Sequence, residues 1–204
     1  MRALDRTHTI QELFTTHAGE AQIMKRISIL CMFVLGAANV FAQQQQTAGA
    51  QDKNPVTGTI KQFVNRQKPN VIGAAELMPP DKYSYKPTDQ QMTFGHLIEH
   101  IAKSNYFLCE QIGGNKPTQQ DVKESDGKDK LVAALKASFD FCTAALDSTD
   151  DTKLGDQITM FGGRKAPKVA AMVALTVDFA DHYAAEAMYL RLNNLLPPSA
   201  QRKQ

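Results

Sequence analysis

The sequence lacks the short motifs that would identify most enzyme classes at once. It has no tryptophan, only three cysteines, no CxxC pair, no glycine-rich phosphate loop and no nucleophile elbow. No stretch alternates apolar and polar residues over the length of a strand, and no Asn-Gly or Asp-Gly turn joins two β-rich runs. These absences argue against dithiol redox, P-loop and α/β-hydrolase chemistry, and they leave an all-α protein as the expected fold class.

Neither sign of charge dominates. The chain carries 23 Lys and Arg against 21 Asp and Glu, and residues 43–204 carry 19 against 18. No basic block interrupts this balance. We therefore expect no nucleic-acid partner and no binding to anionic membrane surfaces.

The N-terminal part reads as an export signal. Met24 begins "MKRISILCMFVLGAANVFAQ", in which two basic residues precede a short apolar run and a small-residue cleavage site before Gln43. We predict a signal peptide over 24–42, an over-extended reading frame over 1–23, a disordered linker over 43–54, one domain over 55–200 and a tail over 201–204. A non-cleaved anchor is the alternative to cleavage. The predicted location is the periplasm or the exterior.

Two cysteines, Cys109 and Cys142, remain after the predicted cleavage. An exported protein meets an oxidising compartment, so a disulfide between them is allowed. Closing that loop would contribute about 3–4 kcal/mol in the chain-entropy model. Two buried free thiols are the alternative, because the sequence does not supply the separation of the Cα atoms.

Four segments show apolar residues at helical spacing, and together they predict a four-helix bundle. Pro69 should kink or break the first segment. Gly113-Gly114 should stop the second segment, and Pro167 suits the first turn of the fourth. The segments run over about 56–78, 93–112, 128–146 and 167–194.

Three histidines of the predicted mature chain fall on these helices: His96 and His100 on the second, and His182 on the fourth. His182 lies in the bulky stripe of its helix, with Asp178 one turn before it and Glu186 one turn after. An interior imidazole must be hydrogen-bonded or bound to a metal.

His100, His182 and one carboxylate would make a metal site with open positions, suited to zinc, nickel, iron or manganese. His96 and Glu186 are the secondary candidate ligands. The structural alternatives are a core His182 paired with Asp178, and a surface pair of His96 with Glu99.

Two blocks resemble the DinB-like family: "ELMPPDKYSYKPTDQQMTFGHLIEHIAKSNYFLCEQIGG" (76–114) and "DHYAAEAMYLRLNNLLPPSA" (181–200). The resemblance covers roughly 56–200 and implies an up-down-down-up bundle shared with metal-dependent thiol S-transferases. It also implies a metal held by one histidine of the second helix and an HxxxH pair of the last. His100 and His182 match that pattern, whereas Asp178 stands where the first histidine of the pair is expected.

These observations support two functions. The first is an exported, metal-dependent hydrolase or transferase of an unknown small molecule, in which Asp181 or Glu186 orients a histidine or acts as a base. The second is a non-catalytic exported bundle that binds a small ligand or a protein partner. A purely structural histidine core is also open, and homodimerisation is plausible for a bundle.

Overall fold

The computed structural model describes residues 53–118 and 121–201. The predicted signal peptide, the segment before it and most of the linker lie outside these ranges. Single 3-10 turns occur at Pro80–Lys82, Glu124–Asp126, Asp151–Lys153 and Phe161–Gly163. The other elements are α1 (Pro55–Leu77), α2 (Phe94–Gly113), α3 (Lys128–Asp147), β1 (Gln157–Thr159), β2 (Lys165–Pro167), α4 (Lys168–Leu192) and α5 (Pro198–Gln201).

The four long helices confirm the predicted four-helix bundle. α2 packs against α3 and α4, and α1 packs against the same two helices. Local chemistry sets the ends of α2: the Thr93 side chain accepts the backbone N–H of His96, and Gly114 takes a left-handed φ of 77°.

The contacts between helices give the direction of each one. α1 and α3 are antiparallel, because Lys61 Nζ lies 3.0 Å from Asp147 Oδ1 and Lys68 Nζ lies 2.7 Å from Asp140 Oδ1. α2 and α3 are parallel, since Asn105 hydrogen-bonds Ser138 and the next turn of each helix carries the disulfide. α2 and α4 are antiparallel: Phe94 contacts Tyr189, and His100 contacts His182. The resulting order is up-down-down-up.

The core lies between the four helices, and one covalent bond crosses it. Cys109 and Cys142 form a disulfide with a Cα separation of 5.0 Å, so the free-thiol alternative does not apply. The rings of Phe139 and Phe179 stack at 4.8 Å. Each is fully buried, which stabilises the fold by roughly 1.5–3 kcal/mol per side chain.

Two details differ from expectation. Pro69 was expected to kink or break the first helix, and the break does not occur, because α1 runs through it without interruption. Pro69 and Asn65 are both exposed, so water can hydrate the carbonyl that loses its partner. The loop before α4 also contains a hairpin, in which Ile158 pairs with Ala166. Within the described ranges, none of the helices has the length and apolar character needed to cross a bilayer.

Candidate functional site

His100 and His182 lie against each other in the seam between α2 and α4. Their ring centroids are 4.9 Å apart and their planes meet at 80°, so the edge of one imidazole faces the other ring. The side chain of His182 is 12% exposed, and His100 is half-buried. The antiparallel packing of the two helices thus brings together residues that are far apart in the sequence.

Asp178 joins this pair through the helical repeat. It lies one turn before His182 on α4, and its Oδ2 is 3.5 Å from His182 Nδ1. Both atoms are buried, and neither has a hydrogen-bond partner among the described residues. The two side chains are thus paired at contact distance, as the structural alternative expects, but without a hydrogen bond between them.

The surroundings of His182 favour its neutral form. Burial lowers the pKa of His182, and the neighbouring His100 lowers it further, while the charges of Asp178 and Asp181 act in the opposite direction. The net result is a depressed pKa. A neutral imidazole is the form that binds metals, so His182 is in its ligating state at neutral pH.

Glu186 lies one turn beyond His182 and is fully buried. Neither of its carboxyl oxygens has a partner among the described residues, and burial raises its pKa well above the ordinary range. Burial raises the pKa of Tyr83, with smaller contributions from the carboxyl groups of Glu186, Asp129 and Glu76. Burial therefore favours the neutral carboxylic acid form of Glu186, which would have to lose its proton to bind a metal.

His96 is not part of the pair. Its side chain is 51% exposed, and its Nδ1 lies 3.8 Å from Glu124 Oε2 in the segment that connects α2 and α3. Glu124 also accepts a hydrogen bond from the Thr93 hydroxyl. The expected surface pair with Glu99 is replaced by this one, because Glu99 binds Lys103 and the backbone N–H of Glu124.

The residue types at the site are ones that bind divalent transition metals, but their present arrangement is not that of a metal site. Among the described residues, no group of three or more His, Cys, Asp or Glu side chains is arranged to hold a metal ion. Two imidazoles and a carboxylate nevertheless meet here, and two of their buried atoms are without partners.

Sequence reasoning missed two residues outside the His100–His182 pair: Glu124, the partner of His96, and the buried Tyr83. Glu124 comes from the connection between α2 and α3, and Tyr83 comes from the connection between α1 and α2. No helical spacing links either residue to the histidines. In the sequence, Tyr83 is an aromatic residue in a polar loop. This pattern indicates that its side chain anchors the loop, but it does not identify the residues that the side chain contacts.

A family model described as the DinB superfamily matches residues 65–186. Among solved structures, a DinB-like protein from Bacillus subtilis is 22% identical, with a TM-score of 0.54 and coverage of 67% of this chain and 92% of its own. A DinB-like protein from Bacillus cereus is 16% identical, with a TM-score of 0.57 and coverage of 68% and 93%.

A third solved structure of similar fold is a mycothiol-dependent maleylpyruvate isomerase. It is 14% identical, with a TM-score of 0.52 and coverage of 63% of this chain and 59% of its own. No protein of curated function matches the chain. At these identities the likeness concerns the fold, and the activity of the isomerase remains a property of that protein.

Proposed function

Because the chain belongs to the DinB superfamily, we propose that it is an exported protein that binds a divalent transition metal through His100, Asp178 and His182. We propose further that the metal serves a hydrolase or transferase reaction on a small molecule. Zinc, nickel, iron and manganese all accept two imidazoles and one carboxylate.

One observation carries this proposal. The buried Nδ1 of His182 and the buried Oδ2 of Asp178 lie 3.5 Å apart without hydrogen bonds, directly beside the His100 ring. A buried polar atom without a partner costs about 1–3 kcal/mol. Two such atoms next to a second imidazole are what a metal-binding site requires in the absence of its ion.

The chain's own residues have distinct parts in this proposal. His182, kept neutral by burial, and His100 supply nitrogen ligands from two helices. Asp178 supplies charge, and 29% of its side chain is exposed to solvent. A bound metal would act as a Lewis acid at an open position. Asp181 adds negative charge that stabilises a cation near His182.

The metal content of protein purified without a histidine tag tests the proposal. We expect about one equivalent of a transition metal per chain after reconstitution, and a loss of most of it in His100→Ala and His182→Ala. His96→Ala is the matched control, because this exposed histidine on α2 pairs with Glu124 and should leave the metal content unchanged.

Asp178→His gives a sharper test, since it creates the HxxxH spacing that the family resemblance implies. We expect this variant to bind zinc about tenfold or more tightly than the wild type, as imidazole is the stronger zinc ligand. Metal content below about a tenth of an equivalent in both the wild type and Asp178→His would reject the proposed site.

A second candidate function is a non-catalytic exported bundle that binds a small ligand or a protein. It is favoured by the lack of a ready three-ligand group among the described side chains and by the aspartate at position 178. Metal-free wild-type protein that keeps its fold and shows no hydrolase or transferase activity would support this candidate.

The proposed export is supported by the disulfide between Cys109 and Cys142, a bond that persists in oxidising compartments. An oxidising location also disfavours a low-molecular-weight thiol as cosubstrate, so hydrolysis is the preferred version of the reaction. Fractionation of the native host tests this location, and a chain found only in the cytosol would contradict it.

A further inference from the structure

A second recess lies on another side of α2, between α2, α3 and the segment that connects them. Its volume is about 700 Å³, within the range of about 300–1,000 Å³ typical of small-molecule sites. Neither histidine of the candidate metal site lines it. The residues that define it include Tyr106, Val122, Lys130, Ala134, Ala137 and Phe141.

Tyr106 gives this cavity a polar anchor. Its side chain is only 7% exposed, it lines the cavity, and its hydroxyl makes no hydrogen bond to another described residue. Burial, together with the charge of Asp140, raises the pKa of Tyr106, so the hydroxyl keeps its proton and remains a donor. A ligand that carries an acceptor atom would take the place of solvent at this hydroxyl.

One part of the cavity wall is apolar, and the other part carries the polar side chains of Thr118, Asp121, Asp126 and Lys130. The ring of Phe141 lies 5.6 Å from that of Tyr106 at a tilt of 53°, and Val122 is 7% exposed beside them. Three alanines of α3 (133, 134 and 137) also line the cavity. A longer side chain at any of these three positions would occupy the volume that a ligand would take.

The charged side chains at the rim of the cavity disfavour the binding of an anion. Lys130 Nζ lies 3.7 Å from Asp126 Oδ1, so these two charges largely offset each other. Asp121 also lines the cavity and has no ionic partner among the described residues. The rim therefore carries a net negative charge, which repels anions and attracts cations.

We propose that this cavity is a binding site for a small molecule that is uncharged or cationic, has an apolar part that packs against Phe141 and Val122, and presents a hydrogen-bond acceptor to the Tyr106 hydroxyl. The site is independent of the metal site, because it lies in the seam between α2 and α3 and shares none of the candidate ligands. Loss of metal binding would leave it intact.

Titration with Prodan, a neutral fluorescent aromatic ketone, tests the proposal. We expect saturable binding with a blue shift for the wild type and about fivefold weaker binding for Tyr106→Phe, which removes only the hydroxyl. Ala137→Phe, which fills the cavity, should weaken binding by more than about tenfold. Ala144→Phe is the matched control, since Ala144 is exposed on the same helix but does not line the cavity.

Three results would overturn the proposal: binding to Ala137→Phe equal to that of the wild type, binding to Tyr106→Phe equal to that of the wild type, or tighter binding of the anion anilinonaphthalene sulfonate than of Prodan. Circular dichroism establishes that each variant is folded. If Ala137→Phe does not fold, the comparison of Tyr106→Phe with the wild type decides.

Discussion

Glu186 carries the least solvated carboxyl group of the candidate site. Burial raises the pKa of Glu186 in the folded chain well above 4.5, the ordinary value that applies to the unfolded chain. At a pH between the unfolded and the folded pKa, the folded chain therefore holds a proton that the unfolded chain has released. The free energy of unfolding then falls as the pH rises, by up to about 1.4 kcal/mol per pH unit from this group. We predict that Glu186→Gln removes this loss and is more stable than the wild type at neutral pH.

Urea unfolding between pH 4 and 9, with chelator present, measures this effect. Glu110→Gln, on a partly exposed position of α2, is the control and should follow the wild type. Equal stability of Glu186→Gln and the wild type across the whole range would contradict the prediction. The comparison is made without metal so that ligand binding does not contribute.

Some features of the candidate site could be predicted from the sequence, and others could not. The interior position of His182 followed from its place in the bulky stripe of α4, and the approach of Asp178 followed from the four-residue spacing. The contact with His100 depended on the family resemblance, because the spacing within one helix does not specify its neighbour. The ligand role of these residues stays a prediction.

α2 and α3 lie in close contact near their C-terminal ends. A Cβ atom added at Gly113 would lie 2.8 Å from the Cα of Ala145, a backbone atom that cannot move aside alone. We predict that Gly113→Ala lowers the free energy of unfolding by about 1–2 kcal/mol, because overpacking outweighs the better helix propensity of alanine. Thermal or urea unfolding measures the change.

Gly155→Ala is the matched control for that substitution. A Cβ at Gly155 would meet no atom within 4 Å, so this change should be neutral or slightly stabilising. A Gly113→Ala variant as stable as Gly155→Ala would show that the helices separate there at little cost.

Elements with a long periodic pattern were predictable, whereas short ones were not. The apolar repeat gave all four long helices to within a few residues. The hairpin was not predicted because each strand has only three residues, which are too few to establish an alternation of apolar and polar residues. The continuity of α1 through Pro69 depends on exposure to water, which the local sequence does not state.

The disulfide acts on the molecule as a whole, because it joins two parallel helices whose connection runs back along the bundle. The bond spans 33 positions of the sequence. We predict that replacing both Cys109 and Cys142 with alanine lowers the free energy of unfolding by about 3–4 kcal/mol. Urea unfolding with and without a reducing agent measures this change.

The same reductant should leave the double variant unchanged. If the reduced wild type, shown to be reduced by thiol titration, unfolds at the same urea concentration as the oxidised protein, the disulfide does not contribute to stability. The sequence left this bond open, since only the parallel register of α2 and α3 brings the two Cα atoms to 5.0 Å.

During synthesis, α1 is completed well before the helices that pack against it. Its neighbours in the bundle are α3 and α4, while the next helix in the chain, α2, packs elsewhere. As the chain grows from its N-terminus, the apolar side chains of α1 that pack on α4 stay uncovered until Lys168–Leu192 has emerged. A product that stops after α3 would expose this face. Truncated chains should therefore aggregate and need chaperones, whereas the complete chain should not.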